Sequence, residues 1–129
     1  MVTVKYPMPN ASLISVVDDD ESLRESLQGL FKSLGYGTVV FSSAESFLSS
    51  EVLTKTDCLI LDVRMSGMSG PELQWELINR GNKLPIIFIT AHGDDEVIAR
   101  VMADGALGCL LKPFSEDSLL KVINQALSG

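Results

Sequence analysis

At 129 residues, 46% hydrophobic and 21% charged, the chain has the size and composition of one globular domain that buries roughly two-thirds of its unfolded surface. The formal net charge of −7 argues against nucleic-acid binding by the domain itself, because neutralising phosphates needs a basic face. No apolar stretch approaches the roughly 20 residues of a membrane span, and a single histidine leaves no zinc-type ligand spacing.

Met1 to Asn10 carries one lysine and no apolar core, so it does not read as a signal peptide. Pro7 and Pro9 suggest a flexible arm over residues 1–11 ahead of a single domain over 12–129. Leu13 to Val17 reads as a first strand and is followed at once by Asp18, Asp19, Asp20 and Glu21. Leu23, Leu27, Leu30 and Leu34 then recur on one face of a helix, with Asp20 as its N-cap and Gly35 as its stop. Thr38 to Phe41 is a second, β-branched strand, and a second helix begins at Ser43 with Phe47 and Leu48 inward.

Cys58 to Leu61 is a third strand, apolar on both faces, and it ends abruptly in Asp62. A loop carrying Gly67 and Gly70 leads to a third helix, with Pro71 at its first position, Leu73 and Leu77 on one face, and Gly81 at its end. Trp75 on that helix reads as packing or partial exposure, and Met65 and Met68 as loop fillers. Pro85 to Thr90 is a fourth strand. Asp94 to Ala103 forms a helix with an acidic first turn and Val97, Ile98, Val101 and Met102 inward. Leu107 to Leu111 is the fifth strand, closed by Lys112-Pro113. Ser115 caps a last helix with Leu119, Leu120, Ile123 and Leu127 facing the core. Cys58 and Cys109 both lie in apolar runs and read as buried, reduced thiols of a cytoplasmic protein.

Five apolar strands alternating with five amphipathic helices imply an α/β domain with a parallel sheet covered on both faces. In such sheets ligands bind at the carboxyl edge of the strands. Strand one delivers Asp18 and Asp19 to that edge, strand three Asp62, strand four Thr90 and strand five Lys112. Any one of these is explained by a cap or a turn; their convergence is not. Three clustered carboxylates repel one another and invite an oxygen-ligated cation such as Mg²⁺. A carboxylate can also attack phosphorus to give an aspartyl phosphate. Lys112 and the Thr90 hydroxyl would then meet the phosphoryl oxygens, and the small Ala91 leaves room for them.

These residues (Val17-Asp18-Asp19, Asp62 with Gly67 to Gly70, Thr90-Ala91 and Lys112-Pro113-Phe114) resemble the receiver domain of bacterial two-component response regulators. The likeness covers Ser12 to Leu127. Asp62 to Leu73 is most similar to regulators of the nitrogen-fixation type, whose partner domain is a helix-turn-helix DNA binder. The resemblance implies a flavodoxin-like strand order 2-1-3-4-5 and a cis Lys112-Pro113 bond. It implies that Asp62 accepts a phosphoryl group from a sensor histidine kinase. Asp18, Asp19, Asp62 and the Arg64 carbonyl would hold Mg²⁺, and Thr90, Ala91 and the residue at 109 would carry the switch. Helix 4, strand 5 and helix 5 would form the output or homodimer face, with DNA reached only through another domain and no membrane contact. Such a domain is a switch with slow self-dephosphorylation rather than an enzyme.

Two positions depart from the pattern. Cys109 stands where an aromatic side chain usually swings inward, so the shift passes through the backbone of the loop from Thr90 to Asp94 or is weakened. Ser66 replaces a proline, which predicts a looser loop. Arg64 and His92 flank the path of an attacking water and are candidates for tuning the phosphoryl lifetime; as a lone loop histidine, His92 also has a purely structural reading. Asp20 and Glu21 are assigned to capping. A haloacid-dehalogenase-type enzyme would need an acid where Arg64 sits, and a flavin binder would not place Asp18 to Asp20 after strand one. A degenerate receiver acting only as an interaction module remains the alternative.

Overall fold

A computed structural model describes residues 12–128; the arm expected over residues 1–11 lies outside them. Five strands, β1 (Leu13–Val17), β2 (Gly37–Phe41), β3 (Cys58–Asp62), β4 (Ile86–Thr90) and β5 (Gly108–Leu111), pair in parallel in the order β2-β1-β3-β4-β5. Between and after them run α1 (Glu21–Ser33), α2 (Ala44–Leu48), α3 (Gly70–Asn79), α4 (Asp95–Ala103) and α5 (Glu116–Ser128). The expected architecture and strand order are both present.

The two-residue period of the strands divides the core in two. Ile14, Val16, Cys58, Ile60, Ile87 and Ile89 face α1 and α5, where they meet Leu27, Phe31, Leu119 and Ile123. Their alternates Val17, Leu59, Leu61, Ile86 and Phe88 face α2, α3 and α4, meeting Phe47, Leu73, Leu77 and Val101. β3 is central and all five of its residues are buried, including Asp62. A strand buried on both faces and flanked by partners on both sides leaves its last side chain only the carboxyl edge to occupy.

Several boundaries differ from expectation. The second helix is a single turn, and a 3₁₀ turn over Glu51–Lys55 completes the crossover; Ser43 and Ser50 cap the two pieces separately. Met102 is 41% exposed, because Val97 and Val101 already fill the contact with the sheet and Met102 falls off that stripe. Leu34 is likewise exposed, since α1 has ended and it serves as the C-cap. Leu107 precedes β5 rather than belonging to it. Cys109 is only partly buried, on an edge strand, whereas Cys58 is fully buried. Trp75 is exposed, and the polar Gln74 is buried in its place, donating to the Val101 carbonyl at 2.9 Å and tying α3 to α4.

The loop after β3 is held by two glycines for different reasons. Gly67 has φ +77°, the left-handed region that side chains disfavour. Its neighbour Met68 donates its N–H to Glu45 of α2 at 2.9 Å, so a carboxylate fastens this loop where proline would have stiffened it. The exposed Glu45 carboxyl is accordingly held below its ordinary range, chiefly by that Met68 hydrogen bond. Gly70 lies against β3: a Cβ there would overlap the Asp62 backbone carbonyl oxygen and come within 3.0 Å of the Phe88 ring.

The Gly70→Ala substitution is therefore expected to destabilise the domain by about 2 kcal/mol or more, because backbone and not a flexible side chain must give way. Gly29→Ala, in the open middle of α1 with nothing within 4 Å, is expected to stabilise it by about 0.5–1 kcal/mol. Urea denaturation of both variants checks the contrast.

Candidate functional site

Asp18 follows β1 directly, and every polar group it has is engaged. Its N–H donates to the Phe41 carbonyl at 3.1 Å, continuing the β1–β2 pairing past the strand's end. Its Oδ1 accepts from the Asp20 N–H at 2.8 Å, and its Oδ2 accepts from the Lys112 ammonium at 2.9 Å. Its backbone carbonyl accepts from Arg24 Nη1 at 2.8 Å. The side chain is fully buried. Asp20 performs the capping role expected of it, accepting from the Leu23 N–H.

Asp62 is 5% exposed at the end of β3. One oxygen from each of Asp18, Asp19 and Asp62 lies within 4.8 Å of the others, and Lys112 Nζ is 3.6 Å from Asp62 Oδ2. Burial first, and the Asp18 charge second, push the Asp62 carboxyl up to about 6 from its ordinary 3.8; Lys112 and the Arg64 backbone N–H pull the other way without prevailing. Lys112 itself is raised: burial acts against its charge, but the Asp18 hydrogen bond and the charges of Asp18 and Asp62 outweigh it. One ammonium thus faces three carboxylates. The cluster is short of positive charge, and its donors are hard oxygens. Both features suit a small divalent cation.

Thr90 ends β4 beside Asp62, in register with Leu111 across the edge. Its buried hydroxyl donates to the His92 carbonyl and accepts from the His92 N–H, both at 3.1 Å. The His92 carbonyl also accepts the Asp94 N–H at 2.9 Å, and Asp94 is the N-cap of α4. The Thr90 hydroxyl is therefore linked to the start of α4 through one peptide group. The Arg64 side chain leans across the mouth of the site to within 4.0 Å of Asp94 Oδ2; both partners are exposed, so the pair adds little stability. Ala91 and His92 are exposed on the loop. Cys109 sits opposite Phe88 in the sheet, packed against the α2–α4 core, with burial holding its thiol above the ordinary range. The Lys112-Pro113 peptide is cis. A cavity of about 450 Å³, lined by Asp20, Leu23, Ser26, Lys112 and Phe114, opens beside the cluster between α1 and the start of α5.

Asp18, Asp19, Asp62 and Lys112 are thus brought together as their order at the sheet edge predicted. Thr90 flanks them, turned toward its own loop. Arg24 and Glu45 escaped the sequence reading, because neither lies at a strand end and their contacts cross between elements.

Residues 14–124 match the family model described as the response regulator receiver domain. The chain belongs to that family. Over 119 residues it is 43% identical to the transcriptional regulatory protein TdiR of Thauera aromatica, covering 92% of this chain and 52% of TdiR. Among solved structures it is similar to the response regulator StyR, with TM-score 0.83 and 43% identity, covering 92% of this chain and 60% of that one. It is also similar to FixJ-N, with TM-score 0.82 and 31% identity, covering 92% and 95%; this likeness agrees with the regulator type that Asp62 to Leu73 resembles. The chain spans about half the length of the curated relatives it matches. Receiver domains work with histidine kinases in two-component signalling and generally bind Mg²⁺, and the acidic cluster of this receiver domain has a donor set that fits.

The raised Asp62 carboxyl carries a sign for stability. Its folded pKa of about 6 exceeds the unfolded 3.8, so the linked stability is fully present below about pH 4 and is lost as pH rises through about 6. Asp62→Asn removes that loss. In metal-free buffer near pH 8 the variant is expected to exceed the parent by on the order of 2 kcal/mol, with the gap closing toward pH 4. Urea titrations across this range check it, and equal stabilities at pH 8 would contradict it.

Proposed function

We propose that this receiver domain is a working phosphoacceptor. Asp62 takes a phosphoryl group from the phosphohistidine of a sensor histidine kinase, and the acquired group resets the loop between β4 and α4. The observation that carries this reading is the buried Asp62, with Asp18 and Asp19 within 4.8 Å and Lys112 at 3.6 Å.

An Asp62 carboxylate oxygen attacks phosphorus as the bond to the donor imidazole nitrogen breaks. The electron pair leaves with that nitrogen, which picks up a proton. Mg²⁺, held by Asp18, Asp19, Asp62 and the Arg64 carbonyl, would supply charge neutralisation for the transferred oxygens. Lys112 is already within reach and contributes a mobile point charge. The donor approaches along the cavity beside Lys112, whose apolar wall of Leu23 and Phe114 suits a protein side-chain carrier.

The phosphoryl group then competes for the Thr90 hydroxyl. Losing that partner frees the His92 peptide, which also holds the Asp94 N–H at the start of α4. This route needs no aromatic side chain in β5, so it is open to a chain with Cys109 in place. The expected output or homodimer face is α4, β5 and α5, where Met102, Leu107 and Leu111 are exposed. Transcriptional output, as in the name of TdiR, would pass through a further domain that binds DNA. The domain acts in the cytoplasm, in keeping with the free thiols of Cys58 and Cys109, and hydrolyses its own phosphoryl group only slowly.

Intact mass after incubation with acetyl phosphate and Mg²⁺ tests the proposal. One added phosphoryl group is expected, lost in Asp62→Asn and without Mg²⁺. No adduct, where a control receiver is labelled, would leave only an interaction module. In the same assay Arg64→Ala and His92→Ala are expected to change the decay of the adduct several-fold, and unchanged decay would remove both residues from lifetime control.

A further inference from the structure

α1 carries one arginine, Arg24, and the reaction described above leaves it without a role. It is half-buried and donates from Nη1 to the Asp18 carbonyl at 2.8 Å. That carbonyl belongs to the peptide joining Asp18 to Asp19, so its direction sets where the Asp19 side chain leaves the backbone. The other contacts of Asp18 fix its N–H and its carboxylate; the Asp20 N–H bond closes a turn around this peptide, but it is Arg24 that bonds the peptide's own carbonyl. Asp19 is exposed and follows the peptide plane. A crankshaft turn of the plane would keep β1 intact yet carry the Asp19 carboxylate out of the cluster.

We propose that Arg24 is a positioning residue for the divalent-cation site: its guanidinium locks the Asp18–Asp19 peptide so that the Asp19 carboxylate points at Asp62. The inference rests on the phosphoacceptor reading. It differs from a charge effect in sign. A guanidinium near three carboxylates repels a dication, so by Coulomb's law alone its removal should tighten Mg²⁺ binding. Loss of positioning does the reverse, and removing partners that orient metal ligands typically weakens affinity by about 10- to 100-fold.

The test is calorimetric titration of the full chain with magnesium chloride. Arg24→Met and Arg24→Leu each keep an apolar stem and remove the donor and the charge, so either variant that retains its circular dichroism spectrum suffices. The expected result is a Mg²⁺ Kd raised about 10-fold, with Arg24→Lys, which keeps a donor, recovering most of the loss. Labelling by acetyl phosphate should then return to the parent rate at saturating Mg²⁺, placing the defect in affinity and not in the chemical step. A Kd unchanged or lowered in the folded variant would overturn the proposal. Failure of the parent chain itself to bind Mg²⁺ would overturn the phosphoacceptor reading beneath it.

Discussion

A fully buried carboxylate is the constraint on which this domain turns. Asp18 has no exposed side-chain surface, and an isolated buried charge costs several kcal/mol. The Asp20 N–H and the Lys112 ammonium bond the carboxylate and reduce that cost, while β2 and α1 hold the Asp18 backbone through the Phe41 carbonyl and Arg24. Holding Asp18 therefore fixes four parts of the fold relative to one another. It also places a negative charge beside Asp62, where Lys112 alone does not neutralise it. The Asp62 carboxyl is raised by its burial first and by that remaining imbalance second.

The sheet makes such an arrangement attainable. In a parallel sheet every strand ends at the same edge. β3 and β4 run apolar to a final Asp62 and Thr90, and β1 and β5 are followed at once by Asp18-Asp19 and Lys112, so the cluster is assembled by strand ends rather than by flexible loops. Helix and loop add the connections: Glu45 of α2 fastens the segment after β3, and the His92 peptide joins Thr90 to the cap of α4. Rigid strand ends hold the charge, while short loops bonded through single peptides are able to move when it changes.

Much of this was legible in the sequence because it rests on local rules. Apolar runs of strand length ending in a polar residue located β1, β3 and β4 and their edge residues. Asp20 is a cap whose chemistry is written in adjacent positions; the caps Ser69 and Asp94 each shift a helix start by one residue from the expected place. What was not legible depends on contacts between distant segments. Met102 was placed inward because a helical stripe does not reveal how wide a contact its partner offers. Gln74 was overlooked because its partner, the Val101 carbonyl, lies 27 residues away. Arg24 carries no local signal, because its partner is the Asp18 carbonyl six residues back, beyond the end of α1. The Ser66 substitution predicted a looser loop, but the Glu45 anchor comes from another helix and cannot be read from the loop.

The central claim is that uncompensated negative charge is built into the edge of the sheet and that a divalent cation answers it. A carbon-13 NMR titration of the Asp62 carboxyl, with and without Mg²⁺, tests this most directly. The account predicts a midpoint of about 6 in metal-free solution, falling below the ordinary carboxylate range once Mg²⁺ is saturating. A metal-free midpoint near 3.8, unmoved by Mg²⁺, would contradict it.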